Sequence, residues 1–318
     1  MGTTCSQCYS QIVFLSLTIV ERELKFSCRI MQKCIIHMLL EHSMPASPVD
    51  FQPDELSDTQ RRFGGLTRLF GPDALVAMQR AHVAVVGIGG VGSWAAEALA
   101  RQGLGALTLI DLDHIAESNI NRQVHALSET LGQAKVTAMA LRIQGINPQC
   151  RVTAVDDFLT PDNVSQILPK TLNVVIDCTD QMSAKVAMVL QTRAYKQALI
   201  VCGGAGGKTD LLAMRAGDLS EATHDALLAR LRNTLRKQHG FARASTEAGK
   251  TRKRVPKMGV RVLWVDQPTL LPEAWQADEN GLQGLSCAGY GSSVTVTASM
   301  GLAAAAEAVS KIIQSKSK

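Results

Sequence analysis

The 318-residue sequence lacks a long run of strongly hydrophobic residues. Ile12 to Val20 is apolar, but nine residues are too few to span a bilayer. No Lys or Arg precedes this run and no small-residue cleavage site follows it, which argues against a secretory signal. A second uncharged stretch, Cys287 to Ala306, is rich in Ala, Gly, Ser and Thr, so we expect a buried strand-to-helix segment there. We therefore expect no membrane association and a cytoplasmic protein.

Paired cysteines are missing after residue 8. Cys5-x-x-Cys8 is the single C-x-x-C motif, and its partners for a zinc site, Cys28 and Cys34, are too widely spaced to favour one. The other cysteines occur singly, which is typical of a reduced cytosolic protein, and those at strand ends are expected to be buried thiols. The four single cysteines after residue 34 are Cys150, Cys178, Cys202 and Cys287.

Charged residues (19%) and hydrophobic residues (46%) occur at ordinary frequencies, which excludes fibrous and disordered chains. Residues 1–43 read differently from the rest, and Met44 is followed by a polar, Pro-containing leader that ends near Gln60. We therefore expect translation to begin at Met44, with residues 1–43 as a non-native or disordered extension. Residues 44–318 are expected to form one domain.

Strands alternate with helices through the middle of the sequence. Apolar runs ending in Gly or Asp predict strands, and apolar residues at helical spacing predict helices. The predicted strands are 82–87, 106–111, 151–155, 172–177 and 199–202, and the predicted helices are 90–102, 133–145, 183–196, 220–239 and a short helix capped by Thr160. This alternation predicts a Rossmann-like, doubly wound, mostly parallel α/β sheet with a C-terminal extension of strands and helices.

A glycine-rich loop follows the first predicted strand. Its four glycines, Gly87, Gly89, Gly90 and Gly92, form a GxGxxG motif that lets a phosphate approach the backbone at a helix N-terminus. Asp111 closes the next strand at the spacing of a carboxylate that binds ribose hydroxyls. The motif predicts a nucleotide site but fits NAD, FAD and ATP equally.

A second glycine-rich stretch, Gly203 to Thr209, imitates a P-loop. Cys202 stands where a Walker A motif requires glycine, and the stretch follows the fifth predicted strand of a fold that already has a phosphate loop. We therefore interpret it as a tight turn.

Polar residues that follow the second predicted strand favour ATP over NAD as the bound nucleotide. Asn119, Arg122, Gln123 and Lys135 suit a polyphosphate, because guanidinium and ammonium groups bind phosphate oxygens, whereas a dehydrogenase has no use for them. Asp180 follows the fourth strand, where its carboxylate could hold Mg²⁺ bridged to phosphates.

These residues resemble the ubiquitin-activating-enzyme superfamily and its bacterial ThiF-type relatives. The resemblance is closer to one branch, the tRNA threonylcarbamoyladenosine dehydratases, and covers about residues 60 to 315. Its motifs include R-F-G-G-L-x-R-L-F-G, G-I-G-G-V-G-S-W-A-A-E-A-L-A-R, N-x-N-R-Q-x-H-A-L and V-D-D-F-x-T-P-D-N-V. The resemblance implies that ATP adenylates the carboxylate of threonylcarbamoyladenosine beside the tRNA anticodon, and that an intramolecular attack then closes a ring with net loss of water.

The resemblance also implies roles for individual residues. Asn119, Arg122, Gln123 and Lys135 would handle the phosphates. Asp111 and Asp113 would contact the nucleoside, and Asp180 would hold Mg²⁺. Arg62 would enter the ATP site of a neighbouring subunit, which implies a homodimer. Cys287 occupies a position considered for thiol chemistry in some relatives, and a monovalent cation and a cysteine-desulfurase-linked sulfur acceptor are further candidate partners.

Positive charge is concentrated between Leu228 and Arg261. This segment has eleven Lys or Arg and one acid, so its local charge is +10 in a chain whose net charge is +5. Such a concentration is typical of a surface that meets a polyanion, here tRNA, and few aromatics accompany it, so phosphate contacts are expected. The candidate contacts are Lys250, Arg252, Lys253, Arg254 and Lys257.

Two other functions stay open at this point. The chain could adenylate a sulfur-carrier or ubiquitin-like protein, although relatives of that kind commonly carry two C-x-x-C zinc pairs that are missing here. It could also be a nicotinamide oxidoreductase, which Arg122, Lys135 and Asp180 oppose.

Overall fold

The computed structural model describes residues 58–244, 253, 255–271 and 290–315. Their centre is a seven-stranded sheet in the order β3-β2-β1-β4-β5-β7-β6. The strands are β1 (His82–Val86), β2 (Ala106–Ile110), β3 (Arg151–Val155), β4 (Val174–Asp177), β5 (Ala198–Cys202), β6 (Met214–Asp218) and β7 (Arg261–Val265). All neighbouring pairs are parallel except β6 and β7, so the predicted doubly wound α/β sheet is confirmed.

Helices precede the sheet, connect its strands and close the chain. They are α1 (Asp58–Phe70), α2 (Pro72–Arg80), α3 (Gly92–Arg101), α4 (Lys135–Ile146), α5 (Val164–Ile167), α6 (Met182–Tyr195), α7 (Ala226–Gln238) and α8 (Val294–Gln314).

Alternating side chains of the central strands face two different helical layers. Val83 and Val85 of β1 pack in one core with residues of α3, α4 and α8, whereas Ala84 and Val86 pack in another core with α6. Because both faces are covered, the strand is apolar throughout, as is usual for parallel sheets. This burial fixes the register that brings the carboxyl ends of β1, β2, β4 and β5 to one edge.

Helix α8 is the one helix among the described residues that is long and apolar enough to cross a membrane. Half of its most apolar window is buried in the protein, against α3 and the sheet. The helical part of the predicted strand-to-helix segment is thus a core helix, and its beginning near Cys287 lies outside the described residues.

The structure corrects two predicted helix starts. Thr160 makes capping hydrogen bonds, since its hydroxyl accepts the Asn163 N–H and its carbonyl oxygen accepts the Val164 N–H, but a turn follows it and α5 begins only at Val164. Helix α7 begins at Ala226 rather than 220, because the buried Asp225 carboxylate accepts the Leu228 N–H and starts the helix there. The C-terminal extension of strands, predicted without bounds, is present as β6 and β7, which join the same sheet.

Candidate functional site

A cavity of about 460 Å³ lies beyond the carboxyl ends of β1, β2, β4 and β5. It is lined by ten of the residues that the sequence singles out, namely Gly87, Gly89, Gly90, Asp111, Asp113, Asn119, Arg122, Gln123, Lys135 and Asp180. Residues separated by up to 93 positions therefore share one site, which we call the nucleotide cavity. Its place at the sheet edge agrees with the rule for ligand sites in open α/β sheets.

The glycine-rich loop turns tightly against the backbone that follows β4. Gly87 has a φ of 85°, and a Cβ there would lie 2.9 Å from the carbonyl carbon of Cys178. A Cβ on Gly92 would collide with the Gly87 carbonyl oxygen. Gly92 therefore shapes the loop rather than lining the cavity, and the N-terminus of α3 is left open to a phosphate.

Asp111 ties the phosphate loop to the end of β2. Its Oδ2 accepts the Ile88 N–H at 2.6 Å, and its Oδ1 accepts the Asp113 N–H at 2.9 Å. Burial raises the pKa of the Asp111 carboxyl, while the nearby Lys135 ammonium opposes that shift. Asp111 thus holds the loop in place in addition to its predicted contact with the nucleoside.

Lys135 is a buried cation at the first position of α4. Its Nζ lies 2.7 Å from Asp113 Oδ2 and 3.8 Å from Asp111 Oδ1. A buried ammonium needs such partners, because desolvation without compensation is costly. The two carboxylates hold the charge at the cavity wall, where it can bind a phosphate oxygen.

Arg122 is anchored along its length but has an accessible guanidinium. Its Nη1 donates to the Ser118 carbonyl at 2.7 Å and to Asn121 Oδ1 at 3.0 Å. Its backbone carbonyl accepts the indole N–H of Trp94 at 3.0 Å. The remaining guanidinium N–H groups can form a two-pronged contact with phosphate oxygens.

Asn119 and Gln123 belong to the same loop. The Asn119 Oδ1 accepts the Ala116 N–H at 3.2 Å, which directs the amide NH₂ group to other acceptors. The Gln123 side chain is buried, and its Oε1 has no hydrogen-bond partner. A buried, unpaired amide oxygen at a cavity wall is the kind of group that a bound ligand satisfies.

Asp180 is exposed at the carboxyl end of β4 and faces the cavity. Below it, the fully buried Asp177 carboxylate lies 3.1 Å from the ammonium of Lys185. Lys185 also donates to the Cys202 carbonyl, and burial raises the pKa of Asp177. This ion pair joins β4, β5 and α6 at the end of the strand that Asp180 follows.

Three thiols in the described part of the chain are free. Cys178 and Cys202 stand at strand ends as predicted, with their Sγ atoms 3.8 Å apart. The Cys202 hydrogen bond and burial raise the pKa of Cys178, so this thiol stays protonated. Cys202 is buried, whereas Cys178 lines the cavity.

The second glycine-rich stretch is a turn, as interpreted from the sequence. Its Lys208 ammonium donates to the His224 carbonyl at 2.7 Å and also to the Gln267 carbonyl. The Gly204 N–H donates to Asp225 Oδ2 at 2.9 Å. These hydrogen bonds hold the loop against the residues before α7 and after β7, so the Lys208 ammonium is already used and does not act as a Walker lysine.

Other predicted residues lie away from the cavity or outside the described residues. Arg62 is exposed on α1 and forms an ion pair at 2.8 Å with Asp58 of its own helix. Lys253 and Lys257 are exposed. Cys287, Lys250, Arg252 and Arg254 are not among the described residues, and neither is the expected extension 1–43.

Several cavity residues were not singled out from the sequence. Asp157 and Phe158 follow β3, Gln181 precedes α6, and Thr297 belongs to α8. The V-D-D-F motif at the end of the third parallel strand was a usable signal for the first two, because it ends at the same edge of the sheet. Thr297 carried no such signal, since only the packing of α8 brings it there.

A family model described as "ThiF family" matches residues 63–318. The chain belongs to the ThiF family. Two curated relatives are similar to this chain over most of their own length, and both are named tRNA threonylcarbamoyladenosine dehydratase. The protein from Escherichia coli strain K12 is 42% identical over 81% of this chain and 96% of its own. The protein from Haemophilus influenzae is 38% identical over 82% of this chain and 97% of its own.

A solved structure is similar as well. It is that of the E. coli tRNA N6-threonylcarbamoyladenosine dehydratase in complex with ATP. This ThiF-family chain matches it with a TM-score of 0.71 and 41% identity, over 82% of this chain and 98% of that one. The likeness extends through the whole of that enzyme rather than through its nucleotide-binding half alone.

Proposed function

We propose that this chain dehydrates N6-threonylcarbamoyladenosine beside the tRNA anticodon, using ATP to adenylate the carboxylate. One observation carries the proposal: the nucleotide cavity gathers the glycine-rich loop, Arg122, Lys135 and Asp180 in a chain that aligns with nearly all of the E. coli dehydratase.

The site suits carboxylate activation. A carboxylate is a poor electrophile, and joining it to AMP supplies a good leaving group. Its oxygen attacks the α-phosphate, pyrophosphate leaves, and charge develops on the phosphate oxygens. The buried Lys135 and the anchored Arg122 are preorganised to stabilise that charge, by on the order of 3 kcal/mol each. A nucleophilic atom of the threonylcarbamoyl group itself, such as its nitrogen, then attacks the acyl carbon. AMP departs and the ring closes.

Mg²⁺ fits this site as an ion shared between the protein and the phosphates. Among the described residues, no group of three or more His, Cys, Asp or Glu could hold a metal by itself. Asp180 is accessible at the cavity, and one carboxylate together with phosphates and water is a usual environment for Mg²⁺. The ion would neutralise phosphate charge, and Asp180 would position it.

The basic segment is the proposed tRNA surface. Arg230 and Lys237 of α7 are exposed, as are Lys253 and Lys257 farther along the chain. Arg232, by contrast, donates to the carbonyl oxygens of Leu219 and Ala222, so it holds a loop and is not counted as a phosphate contact.

We also propose a homodimer in which Arg62 serves the neighbouring subunit, because it is exposed and does not line the cavity of its own chain. A cytoplasmic location, a monovalent cation and a sulfur acceptor linked to a cysteine desulfurase remain part of the proposal. A thiol role for Cys287 would belong to that sulfur chemistry, since ring closure needs no protein thiol.

The experiment is to incubate the protein with ATP, Mg²⁺ and tRNA that carries the linear modification. Mass spectrometry of the digested nucleosides should show the loss of one water from the modified nucleoside. An unchanged mass, together with adenylation of a sulfur-carrier protein, would instead favour the alternative adenylating function.

A further inference from the structure

A second cavity of about 310 Å³ lies between α6 and α7, which we call the α6–α7 groove. Met182, Val186 and Leu190 of α6 form an apolar wall, and Thr234 and Gln238 of α7 supply polar groups. The groove is therefore mostly apolar, with a small hydrogen-bonding edge. A nucleobase has the same combination, with apolar faces and a polar perimeter.

Three elements line both the groove and the nucleotide cavity. Helix α6 contributes Ala184 to the cavity and Ala187, one turn later, to the groove. Helix α7 contributes Leu227 to the cavity and Thr234, two turns later, to the groove. The loop after β3 contributes Phe158 to the cavity and Pro161 to the groove. The groove thus continues from the nucleotide cavity along its side.

The distance between the groove and the nucleotide cavity matches the length of the threonylcarbamoyl arm of the proposed substrate. With a helix rise of 1.5 Å per residue, the groove residues of α6, from Met182 to Leu190, extend from about 3 Å before Ala184 to about 9 Å beyond it. In the threonylcarbamoyl arm, one amino-acid length and two C–N bonds separate the carboxyl carbon from the adenine ring, which is about 6 Å when extended. An adenine in the groove would therefore let its carboxylate reach the nucleotide cavity.

Charge beside the groove suits a nucleic acid. Arg230 is exposed and lies on the same face of α7 as Leu227 and Thr234, between the cavity residue and the groove residue. A guanidinium there can contact the phosphate that flanks a base turned out of its stack.

We propose that the α6–α7 groove binds the adenine ring of the linear modified nucleoside while its carboxylate extends into the nucleotide cavity. This inference rests on the proposed function and adds the binding site of the base. Apolar contact in the groove, rather than aromatic stacking, would hold the ring, with Thr234 and Gln238 at its polar edge.

The proposal is tested by substitutions that place bulky side chains in the α6–α7 groove. Thr234→Trp and Gln238→Trp each place a large side chain in it, and Asn233→Trp places the same side chain on an exposed neighbour in α7 that does not line it. The substrate is an anticodon stem-loop with the linear modification, and the readouts are KM for the stem-loop and Kd for ATP. We expect KM to rise roughly ten- to a hundredfold in both groove variants, as for loss of one base contact, with Kd for ATP and the control variant unchanged.

The outcomes separate the two proposals. If the wild-type protein does not dehydrate the stem-loop, the proposed function fails. If the wild-type protein is active and both groove variants match Asn233→Trp, the groove does not bind the base. Gln238 is exposed at the last residue of α7, so its variant decides the matter if Thr234→Trp loses ATP binding through misfolding.

Discussion

At the residue scale, Asp180 offers the clearest test of the phosphate chemistry. It is exposed and lines the cavity three residues after the buried Asp177. Asp180→Ala should lower ATP–pyrophosphate exchange about 10²- to 10³-fold, because a preorganised electrostatic contribution on the order of 3 kcal/mol is lost. The exposed Asp73 of α2 supplies the control: Asp73→Ala should exchange at the wild-type rate. Unchanged exchange in Asp180→Ala would refute the role assigned to Asp180.

His125 predicts how stability depends on pH. Burial, together with the positive charges of Lys135 and Arg142, lowers its pKa to about 4. The unfolded chain binds this proton near pH 6.5 and the folded chain only near pH 4, so stability is lost as pH falls between these values. The loss is about 3 kcal/mol at most.

The measurement is urea unfolding of the wild-type protein and of His125→Leu at pH 7 and at pH 4. The wild-type protein should lose more stability than the variant over this interval, since only the wild-type protein carries the titrating imidazole. Equal losses in both proteins would show that His125 does not titrate in this way.

At the element scale, the basic segment predicts how tRNA binding responds to salt. Each phosphate contact contributes about 0.7 to 0.9 to the slope of log affinity against log salt. Replacing Lys250, Arg252, Lys253 and Arg254 with Ala should therefore weaken binding and reduce the slope by roughly 3. Filter binding at several salt concentrations measures both quantities.

The matched control removes four exposed positive charges elsewhere. These are Arg68, Arg80, Lys170 and Lys311. This variant has the same net charge as the first, so a similar loss of slope in both would mean that total charge, and not the segment, governs binding.

The strands that position the site were predictable because their environment is simple. β1 and β4 are buried on both faces, so each reads as a short, continuous apolar run. β6 escaped prediction because Met-Arg-Ala-Gly-Asp has neither an apolar run nor alternation, and it becomes a strand only by pairing with β7. The start of α7 was misplaced because Asp225 caps the helix, and its burial, which makes it the cap, is not visible in the sequence.

The residues of the candidate site likewise fall into those that the sequence predicts and those that it does not. The glycine-rich loop and the polar residues after β2 were predictable because phosphate chemistry demands those residue types at that spacing. Leu227 and Thr297 reach the cavity through tertiary packing of α7 and α8, which carries no local sequence signal. The Asp177–Lys185 ion pair was missed for a similar reason, since each residue alone reads as an ordinary charge.

At the scale of the whole molecule, the proposed dimer makes activity a property of two subunits. Arg62→Ala and Asp180→Ala should each lose nearly all activity when expressed alone. The first lacks the residue that it gives to its neighbour, and the second lacks a residue of its own site. In a mixed dimer, the site with an intact Asp180 receives Arg62 from its partner, so one of two sites is complete.

Co-expression with two different affinity tags isolates this mixed dimer. We expect it to regain about half of the wild-type activity, because one site in two works. The doubly substituted protein, paired with itself, is the control and should stay inactive. No recovery in the mixed dimer would contradict the sharing of Arg62.

If the site joins the substrate carboxylate to AMP, an oxygen atom passes from that carboxylate to the nucleotide, and isotope labelling detects this transfer. tRNA bearing the linear modification is prepared with ¹⁸O at both carboxylate oxygens and is incubated with the protein, Mg²⁺ and unlabelled ATP. Adenylation followed by ring closure must leave one carboxylate oxygen on the phosphate of AMP, so mass spectrometry should find one ¹⁸O in AMP for each ring formed. Unlabelled AMP, or ADP in place of AMP, would contradict the account.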